Sequence, residues 1–195
     1  MLGVIAAIAA LAPMLATTDP VEIDPAARNR RPGAERVVKS DDGTRTVSRY
    51  WMGTDTLGRD VYSRVVYGAR VSLIVGVTVA LISVVLGLGI GLVSGYVRGL
   101  DGVIMRVMDG LMAIPSILLA IALVSLSRGA TLRTVIVAIV IPEIPRMTRL
   151  VRSVVLSIRE EPYVEAAVAL GVRTASVLVR HILPNTFAPL LVQGT

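Results

Sequence analysis

Long uncharged blocks separated by short charged stretches organise this chain. Residues 71–97 run for 27 positions without a charged side chain, enough for a helix to cross the roughly 30 Å hydrocarbon core of a bilayer with tilt or overhang. Residues 110–127 add 18 more and predict a second complete span, interrupted by Pro115. Residues 134–150 form a third candidate, but Pro142, Glu143, Pro145, Arg146 and Arg149 fall inside it. Ionisable groups at that depth are costly unless they face protein, water or one another. Two outcomes stay open: the helix leaves the membrane near Pro142, or Glu143 and Arg146 pair at i, i+3 in the bundle interior. A place for Glu143 on a substrate pathway is a minority reading.

The ends of the pattern are incomplete. Residues 1–16, MLGVIAAIAALAPMLA, would make a helix of only about 24 Å and are read as the last part of a first transmembrane helix. A signal peptide is disfavoured because no basic segment precedes the apolar run. Residues 151–185 turn polar, and residues 186–195 begin another apolar run that stops before it could span. The expected fold is all-α, a multi-pass transmembrane helix bundle truncated at both ends, in three parts: a partial helix (1–16), an external loop (17–70) and a transmembrane domain (71–195).

Residues 17–60 are rich in charge, proline and glycine, and predict a solvated loop with little core of its own. At its end Asp60 can N-cap a short surface helix with Val61, Val65 and Ala69 on one face, while Trp51, Tyr62 and Tyr67 suit the headgroup layer. Within the first long block, Ser83, Gly87, Gly91 and Gly95 recur every four residues and the period extends to Gly99, a smooth stripe along which a second helix can approach. A dinucleotide-binding turn needs a strand before its glycines and a helix after them, whereas these lie inside or at the edge of one uncharged run.

Composition agrees with lipid: 54% of residues are hydrophobic and 17% charged. Lys and Arg total 20 against 14 acids, an excess that in a soluble protein would suggest nucleic acid, but flanking membrane spans it suits headgroups and phosphates. No nucleic-acid partner is therefore expected. Cysteine is absent and histidine occurs once, as His181, so no metal site or catalytic triad is expected. A phosphate-binding G-x-x-x-x-G-K-[ST] loop is also missing, which argues against ATP chemistry or a cofactor on this chain.

The most specific stretch is EPYVEAAVALGVRTASVLVRHILPN, residues 161–185. Residues 163–170 read as a compact Ala-rich helix with Glu160, Glu161 and Glu165 near its start, where the helix dipole favours acids. Gly171 fits the C′ position after it, and Thr174 can cap a second helix ending at Pro184. Such an element, short and out of the membrane, suits docking into a groove on a cytoplasmic partner.

These residues resemble the EAA loop of ABC-importer permeases, with Glu165, Ala166, Ala167, Gly171, Leu183 and Pro184 at the family's spacing. His181, where an aliphatic residue is usual, and Asn185 make H-I-L-P-N, which is similar to the dipeptide, oligopeptide and nickel branch of these binding-protein-dependent inner-membrane components. GTDTLGRDVYSRVVYGARVSL, with Gly53, Thr54, Asp55, Gly58, Arg59 and Asp60, and MRVMDGLMAIPSILLAIALV resemble the same branch. IPEIPRM departs from it, since small or aromatic uncharged residues are more usual there.

The resemblance implies a non-enzymatic transport subunit in the cytoplasmic (inner) membrane. Its partners would be membrane lipid, a second homologous permease, two ABC ATPases that carry ATP and Mg, and an extracytoplasmic solute-binding protein. The EAA loop would be the coupling element, and the solute a dipeptide or oligopeptide in preference to nickel or another small solute. No substrate-contacting residue stands out. Counts of basic residues leave orientation undecided, with ten in 17–70 and two in 128–133 against eight in 98–109 and 143–185 together. A membrane-anchored basic protein binding nucleic acid or lipid would leave the 165–184 spacing unexplained. An intramembrane enzyme using Glu143 or Asp109 lacks a partner constellation.

Overall fold

The structure, a computed structural model, describes residues 2–39, 45–127, 129 and 131–187. It is mostly helical and divides into two compact units, Met1–Gly76 and Val77–Thr195.

The first unit opens with α1 (Leu2–Leu15), an apolar helix in which Ala9 and Ala12 are buried. The segment expected to be loop throughout contains an antiparallel hairpin, β1 (Ala34–Lys39) with β2 (Arg45–Tyr50), in a register from Ala34 opposite Tyr50 to Lys39 opposite Arg45. This corrects the all-α expectation at one place. The strands escape a search for alternation because a two-stranded ribbon buries no continuous face. Tyr50 is buried instead under the Arg36 guanidinium, 6.0 Å from its ring centroid, and Arg36 is held by Glu22 at 2.6 Å.

Helix α2 (Val61–Tyr96) follows without interruption for 36 residues. The separate surface helix expected before residue 71 is thus the first turns of α2 itself. At 1.5 Å per residue α2 is about 54 Å long, well beyond the hydrocarbon thickness. Among the described residues it is the one helix long and apolar enough to cross a membrane by itself.

In the second unit residues 98–113 form an amphipathic helix, α3 (Arg98–Ala113), and the expected span at 110–127 is broken. The chain turns by 85° between α3 and α4 (Ser116–Leu126). Proline disfavours helical geometry in the residue before it, and Ile114 is extended at φ −90°, ψ 127°. Pro115 has no N–H but starts α4, its carbonyl accepting from the N–H of Leu118 and Leu119.

Helix α5 (Leu132–Ile158) does the opposite, running straight through Pro142 and Pro145. Glu143 and Arg146 do pair at i, i+3, at 3.0 Å, but with their side chains 28% and 57% exposed and not in the interior expected for them. Pro145 is fully buried, and packing around it holds a helix that local propensity would break.

The core of this unit gathers Met147, Val151 and Val155 of α5 with Val164, Val177 and Ile182 from the segment after it, and Val84, Leu88, Leu92 and Tyr96 of α2 pack against them. Three glycines of α2 set the approach. A β-carbon on Gly87 would collide with Met147, one on Gly91 would lie 2.6 Å from Val151 Cβ, and one on Gly95 would lie 2.7 Å from Val155 Cβ. Both partners advance four residues per step in the same direction, so α2 and α5 pack as parallel helices through a small-residue stripe. Ser83, one turn earlier, is buried. Gly99 corrects the predicted stripe, since it lies in α3, past the break at Val97, with nothing within 4 Å of its would-be β-carbon.

Candidate functional site

Helix α6 (Pro162–Ala169) occupies the Ala-rich stretch. Pro162 suits the first helical position, where a missing N–H costs nothing, and Glu165 lies in the first turn. At the other end Gly171 has φ +75°. The Gly171 N–H donates to the Val168 carbonyl at 3.0 Å and the Val172 N–H to that of Ala167 at 3.1 Å, the paired bonds of a Schellman cap. The C′ position expected for Gly171 is the observed one.

Two faces of α6 differ. Val164 and Ala167 are buried, and Val164 belongs to the core shared with α2 and α5. Glu165, Ala166, Val168, Ala169 and Leu170 are exposed, Leu170 at 84%. A helix of two turns is thus anchored on one side and leaves an Ala- and Val-rich surface on the other.

The following arm differs from its expected form. Thr174 does not cap it: Arg173 is the N-cap, with no side-chain cap hydrogen bond, and Thr174 is already helical. Helix α7 (Thr174–Val177) passes into a wide π turn over Leu178–Ile182, and the helix then continues through Pro184 to at least residue 187 rather than ending there. The Leu183 N–H donates to the Leu178 carbonyl, five residues back. A widened turn relieves the clash an α-helical proline would make with the carbonyl four residues earlier.

Three side chains close the two arms. Asn185 Nδ2 donates to the Tyr163 hydroxyl at 3.0 Å and to the His181 carbonyl at 2.8 Å, and the Tyr163 and His181 rings stack at 6.5 Å. Leu183 is half-buried and Pro184 exposed. A groove of about 680 Å³ beside them is lined by Ser153, Ser157, Glu161, Tyr163 and Asn185. Sequence reading singled out His181 and Asn185 but missed Tyr163 and the anchors Val164, Val177 and Ile182. Spacing of the apolar residues 164 and 167 by a helical i, i+3 step was the available signal.

The residues singled out at 53–60 form a second constellation, in the first unit. Gly53 and Gly58 take φ +75° and +80°, and a β-carbon on either would strike the carbonyl of Arg30 or Asp24 respectively. The Thr54 hydroxyl accepts from the Arg30 N–H at 2.8 Å and donates to the Ala27 carbonyl. Asp60 caps α2 as expected, accepting from the N–H of Tyr62 and Ser63, each at 3.2 Å. The buried Asp60 carboxylate also takes the hydroxyls of Thr17 and Ser63, both at 2.7 Å. The motif is a clasp that binds residues 17–30 to the head of α2.

Asp55 organises the turn inside the clasp, pairing with Arg59 at 2.8 Å and also with Arg64. Burial acts to raise its carboxyl, but hydrogen bonds from the backbone N–H of Arg59 and Leu57 and from the Arg59 side chain outweigh it and lower the pKa from 3.8 to about 2. A folded-state pKa below the unfolded one contributes stability that is present above the unfolded value and lost as pH falls through the folded one. Amide exchange at Leu57 and Arg59 is therefore expected to accelerate as pH falls from 3.8 towards 2, after correction for intrinsic rates. In Asp55→Asn, which keeps no titrating carboxyl, that extra pH dependence should be absent.

Glu143 and Asp109 are held in ion pairs with Arg146 and Arg149.

The family profile described as "Binding-protein-dependent transport system inner membrane component" matches residues 83–194. The chain is 52% identical over 185 residues to a probable peptide ABC transporter permease of Sinorhizobium fredii, covering 95% of this chain and 58% of that protein. It is 41% identical over 189 residues to the dipeptide transport system permease protein DppC of Alkalihalophilus pseudofirmus, covering 96% of this chain and 57% of the relative. It is also 41% identical to the glutathione transport system permease protein GsiD of Pectobacterium atrosepticum, over 74% of this chain and 48% of that one. The chain thus spans about half the length of the curated relatives it matches. With a family match that takes in the α2–α5 stripe and both arms of the 161–185 stretch, the chain belongs to the inner-membrane components of binding-protein-dependent transport systems.

Proposed function

We propose that the chain is part of a multi-pass permease subunit of an ABC importer for dipeptides or oligopeptides, coupled to separate ATPase subunits through α6. The observation that carries this is the two-faced, Schellman-capped α6: Val164 and Ala167 root it in the core, while Glu165, Ala166, Val168, Ala169 and Leu170 are left for a partner. An exposed short helix of this kind fits helix-in-groove docking. ATP binding and hydrolysis, with its Mg, would occur on those partners, whose closure would pull on α6 and shift the bundle between two states.

The parallel run of α2 and α5 supports a multi-pass arrangement. Two parallel helices that both cross the membrane need a return crossing between them, and the bent α3–α4 pair is the segment available for it. With α6 facing the ATPases, residues 17–70 would lie outside, toward a solute-binding protein, and a second homologous permease would complete the path. Peptide as solute is supported by the names of similar proteins, which are peptide, dipeptide and glutathione transport permeases.

The native chain has no cysteine, so one introduced thiol is unique within it. Val168→Cys in the assembled importer is expected to cross-link to an ATPase subunit and to react with an impermeant thiol reagent in inside-out vesicles, whereas the buried Val164→Cys should do neither. Labelling of Val168→Cys only from the outer face would overturn the assignment of α6.

A further inference from the structure

Where α5 ends, three charged side chains and one hydroxyl tie it to the corner between α2 and α3. Arg152 donates through Nε and Nη2 to the two carboxylate oxygens of Asp101 on α3, a bidentate pair. Ser94 on α2 donates to the same Asp101 at 2.6 Å. Two turns further, at the C-cap of α5, Arg159 Nη1 donates to the Gly95 carbonyl of α2 at 3.2 Å. Val155, on the same side between the two arginines, packs on Gly95 itself. The side chains of Arg152 and Asp101 are 30% and 24% exposed, more sheltered than the Arg149–Asp109 pair further along α3 at 46% and 60%, so solvent screens the first pair less.

The position of this cluster is what gives it a use. Arg159 immediately follows α5 and lies three residues before Pro162, the first residue of α6. At its other end α3 stops at Ile114, where the chain turns by 85° into α4. A displacement of α6 reaches the end of α5 through the chain itself, and of the two ion pairs that join α5 to α3, Arg152–Asp101 and Arg149–Asp109, the first is the more sheltered and the nearer to α6. A planar guanidinium forked onto a carboxylate resists sliding and rotation in a way a point charge does not.

Resting on the coupling role proposed for α6, we propose that Asp101, Arg152, Ser94 and Arg159 are positioning residues that transmit the movement of α6 to α3, so that the α3–α4 bend moves with the ATPase cycle. They touch neither solute nor nucleotide in this role. Their loss should separate ATP hydrolysis from transport rather than weaken solute binding.

The test uses the complete importer in proteoliposomes, measuring peptide uptake, ATP hydrolysis and the amount of assembled complex. Asp101→Arg and Arg152→Asp are each expected to lower uptake per ATP about tenfold, and the double charge reversal to recover most of it. Arg152→Lys and Ser94→Ala, which keep the charge balance, should lower uptake per ATP about threefold without reducing the assembled complex. Full uptake per ATP in all four single variants would overturn the proposal. So would a double reversal no better than its worse parent together with unaltered coupling in Arg152→Lys and Ser94→Ala. Gly171→Val in the same preparation separates the two readings: if it too transports normally, the role of α6 is wrong, and if it alone is uncoupled, only the Asp101 joint falls.

Discussion

Under the coupling role proposed for α6, Gly171→Val is expected to uncouple transport, with peptide uptake lost while the chain stays inserted and the partner ATPases remain active. Gly171 sits at φ +75° with open space where a β-carbon would project, so the penalty comes from the backbone and not from a clash. Left-handed geometry costs an L-residue about 1–2 kcal/mol, and a β-branched residue there is a genuine outlier. The strain is relieved by unwinding the Gly171 and Val172 hydrogen bonds that end α6, which redirects the chain into α7 and misplaces the exposed face. Gly171→Asn, able to adopt the same backbone, should keep much of the uptake. Glu165→Lys acts differently: Glu165 is exposed, so it should leave α6 folded but oppose the helix dipole and any basic groove. Normal uptake per ATP in both Gly171→Val and Glu165→Lys would refute the coupling assignment.

Gly91→Ala should cost stability out of proportion to the single methyl group it adds. Its β-carbon would sit 2.6 Å from Val151 Cβ and 2.8 Å from the Thr148 carbonyl oxygen, and one of these contacts is backbone that cannot rotate away. Over-packing of this kind costs about 1–3 kcal/mol, here by forcing α2 and α5 apart along the stripe. Gly89→Ala, two residues away on the same helix, meets nothing within 4 Å and should be neutral or stabilising by up to about 1 kcal/mol. Unfolding in detergent micelles, followed by helical circular dichroism, compares the two. Equal midpoints for both would mean that the α2–α5 contact does not hold the second unit together.

Much of this was legible along the chain. The four-residue recurrence of Gly87, Gly91 and Gly95 announced a close helix contact, because removing every β-carbon from one side of a helix has few other uses. The Glu165–Gly171 spacing announced a short capped helix for the same local reason. Asp60 announced a cap. What could not be read was the partner of each feature. Met147, Val151 and Val155 look like ordinary apolar residues of α5, and the Asp101–Arg152 pair joins positions 51 residues apart.

The prolines mark the boundary most clearly. Pro115, Pro142, Pro145 and Pro184 impose the same local constraints: no N–H, a fixed φ, and a restricted preceding residue. At Pro115 the helix breaks by 85°, at Pro142 and Pro145 it continues, and at Pro184 it continues after a π turn. Pro145 is buried and its neighbours Met147 and Val151 are locked against the glycine stripe, whereas α4 has no buried residue to hold it in line with α3. Local chemistry by itself determined where the helices can span, cap and approach; only tertiary packing decided which prolines bend the chain, because burial supplies the energy that compensates a missing hydrogen bond.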